Sequence, residues 1–308
     1  MGLTEAVRNS DDALTTLDII RRTTEYFKRH NVDSPRLTTE LMLCEILKCN
    51  RVGLYMHYDK PLENNELEYL RDMLRRRVRR EPLQYILGST EFFGLYFKVS
   101  PDVLIPRPET ELLVEQAKKY IKNSGKSSPI ILDIGTGSGC IAIALANAFA
   151  QSSVTAIDIS ESALVIANEN GRLNGTSNVR FLQGDIFDNN ISLNLTEKYD
   201  VIVSNPPYIQ ENDIAGLQPE VGHFEPLIAL TDKGDGLTFY RRFAEIFRFL
   251  LNENGCFFIE IGYEQADSVC EIFSVTDFET AVSNDYAGIP RIISGHASIQ
   301  TNCQNRQT

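Results

Sequence analysis

The 308-residue chain lacks the features that mark several protein classes. It has no run of about 18 apolar residues, the length a helix needs to cross a bilayer, so no transmembrane helix is expected. Its opening, MGLTEAVRNSDDALTTLDII, carries acids where a secretory leader has a basic start and a greasy stretch, and a cytoplasmic location is expected. Histidine is scarce: His30, His57, His223 and His296 are scattered along the chain. Cys44, Cys49, Cys140, Cys256, Cys270 and Cys303 form no C-x-x-C pair, and no histidine stands at zinc-like spacing. Metal catalysis and a histidine-activated nucleophile are therefore not expected, and the thiols read as free, as in a reducing compartment. There is no internal repeat and no low-complexity tract.

Basic charge is also short. Thirty Lys and Arg stand against 42 Asp and Glu, a net charge of −12. The deficit is uneven: residues 1–90 carry +1 and the remainder −13. So acidic a second part repels a nucleic-acid backbone, which argues against DNA or RNA as the main partner.

What is present is apolar content of 43%, enough for a sizeable core, over a length that suits two domains. Residues 11–80 read as helical. Leu14, Leu17, Ile19 and Ile20 recur at helical spacing, and Ser34-Pro35 reads as an N-cap followed by proline at the first helical position of a helix reaching Leu47. A third helix is expected over 64–80. The arginines Arg71, Arg75, Arg76, Arg77, Arg79 and Arg80 read first as a solvated face, with cations near a helix C-terminus, and second as a partner surface. Residues 86–100 read as a β-hairpin turning at Gly94, and a helix is expected to open near Pro108. From Ile130 onward, strands at 129–134, 153–158, 178–183, 200–204 and 255–261 alternate with helices at 139–150, 161–173 and 236–252. That alternation predicts a parallel α/β sheet, with a further strand pair at 277–283 and 290–296. Residues 299–308 are polar and expected to fray.

The first strand of this series runs into Asp133-Ile134-Gly135-Thr136-Gly137-Ser138-Gly139 and then a helix. Glycines allow a tight turn and close approach of a ligand to the main chain. The spacing is G-x-G-x-G rather than the dinucleotide G-x-G-x-x-G, and a carboxylate two residues before the first glycine would repel a pyrophosphate. NAD is thereby disfavoured and a cationic ligand favoured. Asp158 ends the next strand, where an acid grips ribose hydroxyls in doubly wound folds, and Asp185 ends the third, where it could accept from an adenine amino group. Three carboxylates at three successive strand ends fit S-adenosylmethionine. Each alone has a structural alternative as a turn former or a helix N-cap.

The fourth strand ends in Asn205-Pro206-Pro207-Tyr208. Each proline has a fixed φ and pushes the preceding residue to an extended conformation, so this corner is stiff. The Asn205 side-chain oxygen and the Pro206 carbonyl can converge on one NH2 group, and Tyr208 can lie over a flat group. Such a corner suits a planar amide or an aromatic amine, whose delocalised lone pair makes it a poor nucleophile. Two acceptors would aim the nitrogen and stabilise the positive charge that develops on it during methyl transfer.

The glycine turn, Asp158, Asp185 and the Asn-Pro-Pro-Tyr corner resemble the S-adenosylmethionine-dependent methyltransferases that modify planar nitrogens. Further stretches resemble the HemK/PrmC family of release factor glutamine methyltransferases: Pro82–Gly88, Glu91–Gly94, Leu104–Glu111, Glu220-Val221, Glu225–Leu230, Gly234–Leu237 and Glu260–Gly262. The likeness spans about residues 10–295. It implies an α/β fold: a Rossmann-like, seven-stranded class I methyltransferase domain preceded by a small all-α helical bundle and a β-hairpin linker. The boundaries implied are 1–84 for a helical substrate-recognition domain, 85–105 for the linker, 106–298 for the catalytic domain and 299–308 for a tail. It also implies methylation of the glutamine in the GGQ motif of class-1 peptide chain release factors. Asn205, Pro206 and Tyr208 would be catalytic. Asp133, Gly135, Thr136, Gly137, Gly139, Asp158, Ile159, Asp185, Ile186 and Asn205 would hold the donor, and Pro207, Arg107 and Glu109 would join the corner on the substrate side. The alternative within the superfamily is a nucleic-acid amino-methyltransferase, disfavoured by the acidic catalytic half and by the lack of an evident target-recognition domain.

Overall fold

The helical and alternating patterns separate into two compact units. The computed structural model describes residues 14–188, 191, 195 and 197–297, so the polar tail and the first thirteen residues lie outside the described residues. The first unit takes the chain up to Gly88 together with Gln218–Phe224; the second takes Ser89–Leu217 and the chain from Glu225 onward. The hairpin thus groups with the sheet. Gln218–Phe224, which the sequence reading gave to the catalytic domain, groups with the helices.

The helical unit contains α1 (Thr16–Arg29), α2 (Pro35–Leu47), α3 (Arg51–Met56), α4 (Asn64–Val78) and α5 (Leu83–Leu87). A reciprocal cap opens α1: the Asp18 main-chain N–H donates to Thr15 Oγ1 at 3.2 Å, and the Thr15 N–H donates to the Asp18 carboxylate. Ile19, Ile20 and Phe27 of α1 bury against Met42, Leu43, Leu70 and Leu74. Pro35 does stand at the start of α2, but Ser34 is not a side-chain cap. It sits at φ 47° in the left-handed region and makes no cap bond, because an N-cap side chain reaches the first-turn amides from extended backbone. The arginine run is also not simply a solvated face. The Arg77 side chain is buried and donates to Glu220 Oε1 at 2.9 Å and to the Glu81 carbonyl at 3.1 Å. Arg76 pairs with Glu81 and Arg80 with Glu220.

The sheet unit opens with the hairpin β1 (Ser89–Phe92) and β2 (Leu95–Lys98). Phe93 at φ 53° and Gly94 at φ 73° make the two-residue loop, the positive-φ pair that matches strand twist. Helix α6 (Thr110–Ser124) follows, starting two residues later than Pro108. Then come β3 (Ile130–Ile134), α7 (Cys140–Ala148), β4 (Ser153–Asp158), α8 (Glu161–Leu173), β5 (Val179–Gln183), β6 (Tyr199–Ser204), α9 (Thr238–Leu250), β7 (Leu251–Glu260), α10 (Ala266–Ser274), β8 (Phe278–Asn284) and β9 (Pro290–Ala297). The seven strands lie in the order β5-β4-β3-β6-β7-β9-β8, and β9 alone runs opposite to the other six. The central strands β3 and β6 are buried in nearly every position because helices cover both faces. One face packs Leu113 and Val114 of α6 and Ile141 to Leu145 of α7, with Phe92 and Phe97 of the hairpin. The other packs Tyr240, Phe243 and Phe247 of α9 and Phe273 of α10 over Phe257. These apolar residues recur at three- and four-residue spacing along α9, which makes it amphipathic.

Strand order reverses between β3 and β6, and ligands bind outside the carboxyl ends of the strands at such a point. The register there is definite. Ile134 pairs with Ser204, and Ser204 Oγ donates to the Ile134 carbonyl at 2.8 Å. The residues that follow, Gly135 and Asn205, therefore leave the sheet side by side.

Candidate active site

A cleft of about 230 Å³ lies at this reversal. Its lining includes Gly135, Thr136, Gly137, Asp158, Ile159, Asp185, Ile186, Asn205, Pro207 and Arg107 from the sequence reading. Asp133, Gly139, Pro206, Tyr208 and Glu109 do not line it.

The glycine loop is held by main-chain bonds. The N–H groups of Gly135 and Thr136 both donate to the Ile157 carbonyl, at 2.9 and 3.0 Å. Gly135 and Gly137 have φ of 71° and 54°, and a Cβ built at either meets nothing within 4 Å. The loop is thus an open cradle whose missing side chains leave room for a ligand. Asp158 Oδ2 accepts the Gly137 N–H at 2.8 Å, and its Oδ1 accepts the Ser160 N–H at 2.9 Å. Burial raises the pKa of this carboxyl, and the main-chain donors pull it back. Asp185 is exposed, with Oδ1 accepting from Phe187 N.

Asp133 stands away from the cleft. It is 0% exposed, and its Oδ2 accepts from Thr136 Oγ1 at 2.6 Å and from the Ala142 N–H at 3.2 Å. Burial pushes its carboxyl up to about 7, against those two hydrogen bonds. Its geometry ties the glycine loop to the first turn of α7. Gly139 plays a packing part: a Cβ there would stand 3.0 Å from Ile143 Cδ1 and 3.2 Å from Ala167 Cβ.

At the Asn-Pro-Pro-Tyr corner the Asn205 side-chain NH2 donates to Thr110 Oγ1 at 3.1 Å. Thr110 Oγ1 donates in turn to Glu260 Oε2 at 2.7 Å. Pro206 is buried. Tyr208 packs its ring against the α9 and α10 side of the core, and its hydroxyl lies 3.4 Å from Glu260 Oε1. The expected stacking surface is thus turned inward, where burial drives the phenol pKa up. Gln265 clamps the corner: its Nε2 donates to the Tyr208 carbonyl at 3.0 Å, and its Oε1 accepts the Gly262 N–H at 2.8 Å. Arg107 pairs with Glu225 at 2.5 Å, and Glu225 Oε2 accepts the Ile105 N–H at 3.4 Å, so this pair shapes one wall. Glu109 is exposed at the surface.

Thr110, Glu260 and Gln265 were not singled out from the sequence as site residues. Thr110 and Glu260 fell within stretches quoted for the family likeness, which was the available signal. Gln265 carried none.

The donor set fits S-adenosylmethionine. The cradle can take its amino-acid end, Asp158 and Asp185 stand where hydroxyls and an amine would be met, and Ile134, Ile157, Ile186 and Phe239 supply apolar walls for a flat ring. A Rossmann-like sheet with a glycine cradle at its switch point and an amide-bearing corner beside it defines a methyltransferase.

Comparison with known proteins agrees. The family described as "Methyltransferase domain" matches residues 126–286, and "PrmC N-terminal domain" matches residues 18–88. A release factor glutamine methyltransferase from Fusobacterium nucleatum is 43% identical over 92% of this chain and 79% of its own. The one from Geobacter sulfurreducens is 41% identical over 91% of this chain and 96% of its own. A methyltransferase structure from Pyrococcus furiosus shares the fold, with a TM-score of 0.50, 21% identity, and coverage of 73% of this chain and 99% of its own. The chain belongs to the release factor glutamine methyltransferase family.

Proposed function

We propose that this chain transfers a methyl group from S-adenosylmethionine to the side-chain amide nitrogen, N5, of the glutamine in the GGQ motif of class-1 peptide chain release factors. The observation that carries the reading is the placing of Asn205: it follows a strand paired with β3, lines the cleft beside Gly135, and commits its NH2 to Thr110. That leaves Oδ1 as the part of this amide able to accept from a substrate.

When bound, S-adenosylmethionine supplies an electrophilic methyl on a sulfonium. Gly135, Thr136 and Gly137 hold its amino-acid end, Asp158 and Asp185 its hydroxyls and amine, and Ile159 and Ile186 its ring. Asp133 supports the cradle from behind. Asn205 Oδ1 and the Pro206 carbonyl accept the two N–H groups of the substrate amide, which aims the nitrogen and stabilises the charge growing on it. The nitrogen gains a carbon and afterwards gives up one proton, to solvent or to a main-chain acceptor. No strong base is needed beforehand. Tyr208 and Pro207 stiffen the corner, while Arg107 with Glu225, and Glu109 at the rim, border the substrate entry. The setting is the cytoplasm, where release factors act.

The test is incubation with labelled donor and either a purified release factor or total nucleic acid. Label on the GGQ glutamine, located by mass spectrometry, is the expected result. Label found only in RNA or DNA overturns it in favour of an amino-methyltransferase of nucleic acid.

A further inference from the structure

We propose that Thr110 and Glu260 are positioning residues that decide which way the Asn205 amide faces, and so which atom it offers the substrate. The inference rests on the methyl-transfer reading of the cleft.

The argument is one of proton counting. A threonine hydroxyl has one proton to give and lone pairs to accept with, whereas an ionised carboxylate accepts only. Thr110 Oγ1 lies 2.7 Å from Glu260 Oε2 and 3.1 Å from Asn205 Nδ2. With its proton spent on Glu260, the hydroxyl can take part in the second bond only as an acceptor. The NH2 end of Asn205 alone can donate to it. An amide turned over would set Oδ1 against a hydroxyl with no proton left to offer. The relay therefore presents the Asn205 carbonyl oxygen toward the cleft, the atom needed to receive a substrate N–H.

The parts are fixed by their surroundings. Thr110 is the first residue of α6 and 2% exposed; Glu260 ends β7 and is 1% exposed. The Tyr240 hydroxyl donates to the Glu260 main-chain carbonyl at 3.0 Å, and Tyr208 stands beside its other carboxylate oxygen. Thr110 reaches the cleft wall, whereas Glu260 lies behind it and acts only through Thr110. A buried carboxylate is costly to keep without donors. Here its donors are two hydroxyls that both lead to the substrate corner.

The test uses the full chain, a purified class-1 release factor and four variants. Thr110→Val keeps the shape and removes the hydroxyl. The expected result is a fall in kcat of about 10- to 100-fold, with S-adenosylmethionine affinity by calorimetry within about twofold, both read well below a melting temperature that the donor lost to Glu260 lowers. Thr110→Ser restores turnover to within a few-fold. Glu260→Gln, whose NH2 can face Thr110 and free its proton for Asn205 Oδ1, lowers kcat less than Thr110→Val does. Thr110→Val added to Asn205→Ala costs nothing further, because the two act through one contact. Full turnover in Thr110→Val, failure of Thr110→Ser to rescue, or additive losses with Asn205→Ala would each overturn the assignment. A wild-type chain that leaves the release factor unmethylated defeats the underlying reading before any variant is compared.

Discussion

Gly137 donates its main-chain N–H to Asp158 Oδ2 at 2.8 Å, which ties the tip of the glycine loop to the end of the neighbouring strand. The other oxygen of Asp158 is engaged by Ser160, at the start of α8. One carboxylate thus holds two main-chain segments that border the cleft. It can shape the donor site as well as touch the ligand.

Asp158→Ala is expected to weaken S-adenosylmethionine binding by at least about tenfold, since each main-chain donor left unpaired costs on the order of 1 kcal/mol. Asp158→Asn should fall between, because an amide has one acceptor oxygen where two are needed. Isothermal titration of the three proteins checks the order, and equal affinities would refute it.

Asn205→Ala should lower transfer by about 100- to 1,000-fold, with a residual rate still measurable in single turnover, and leave donor affinity nearly unchanged. The substitution removes an acceptor for the substrate amide without disturbing the Gly137–Asp158 tie. Single-turnover transfer measured beside donor binding separates the two effects. Near-normal turnover would contradict the assigned role.

Gly236→Ala should damage the corner from outside the cleft. At φ 77°, a Cβ there would stand 2.3 Å from the Tyr208 carbonyl oxygen and 2.8 Å from Gln265 Nε2. The corner must shift, and the Gln265 clamp with it. A stability loss of more than about 2 kcal/mol is expected in urea unfolding, with transfer lost in proportion to the displaced corner. Gly175→Ala is the control: its φ is also positive, at 66°, but nothing lies within 4 Å, so only the backbone strain remains.

Glu260 should make stability depend on pH. Burial pushes its carboxyl from an ordinary 4.5 to about 7, opposed by the Thr110 hydrogen bond, the field of Arg291 and the Tyr208 hydrogen bond, and reinforced by the charge of Glu109. Between those values the folded chain keeps a proton that the unfolded chain has released. The stabilisation is therefore full below pH 4.5 and lost as pH rises through about 7. Relative to Glu260→Gln, wild type should lose up to roughly 3 kcal/mol between pH 4.5 and 8, at about 1.4 kcal/mol per tenfold change in proton affinity. Urea unfolding of both proteins across that range gives the difference. A constant gap would show that Glu260 does not titrate there. Transfer should run the opposite way and weaken below about pH 7, since a protonated Glu260 no longer compels Thr110 to give up its proton.

Local features read true where local chemistry decides. The expected strands at 153–158 and 200–204 match β4 and β6 closely, and the two-residue turn at Gly94 is where positive φ is needed. Gly135 and Gly137 line the cleft as glycine spacing implied. What escaped notice depends on partners distant in sequence. Thr110 meets Glu260 across 150 positions, and Gln265 meets Tyr208 across 57. No spacing rule ties such pairs before the sheet register is known. Asp133 shows the reverse error: its place in the motif implied a ligand contact, whereas β3 buries it in mid-sheet and turns it to Thr136. Tyr208 is similar, because an aromatic after two prolines reads as exposed until a core is found beneath it.

The return of Gln218–Phe224 to the helices has a consequence for how the protein is born. Arg77 leaves the ribosome 143 positions ahead of Glu220, the carboxylate that neutralises it in its buried seat. At ordinary translation speed that gap lasts on the order of ten seconds. During that wait the buried guanidinium lacks its carboxylate, and the amino-terminal unit reaches its finished form only when four of the seven strands of the sheet have already been made.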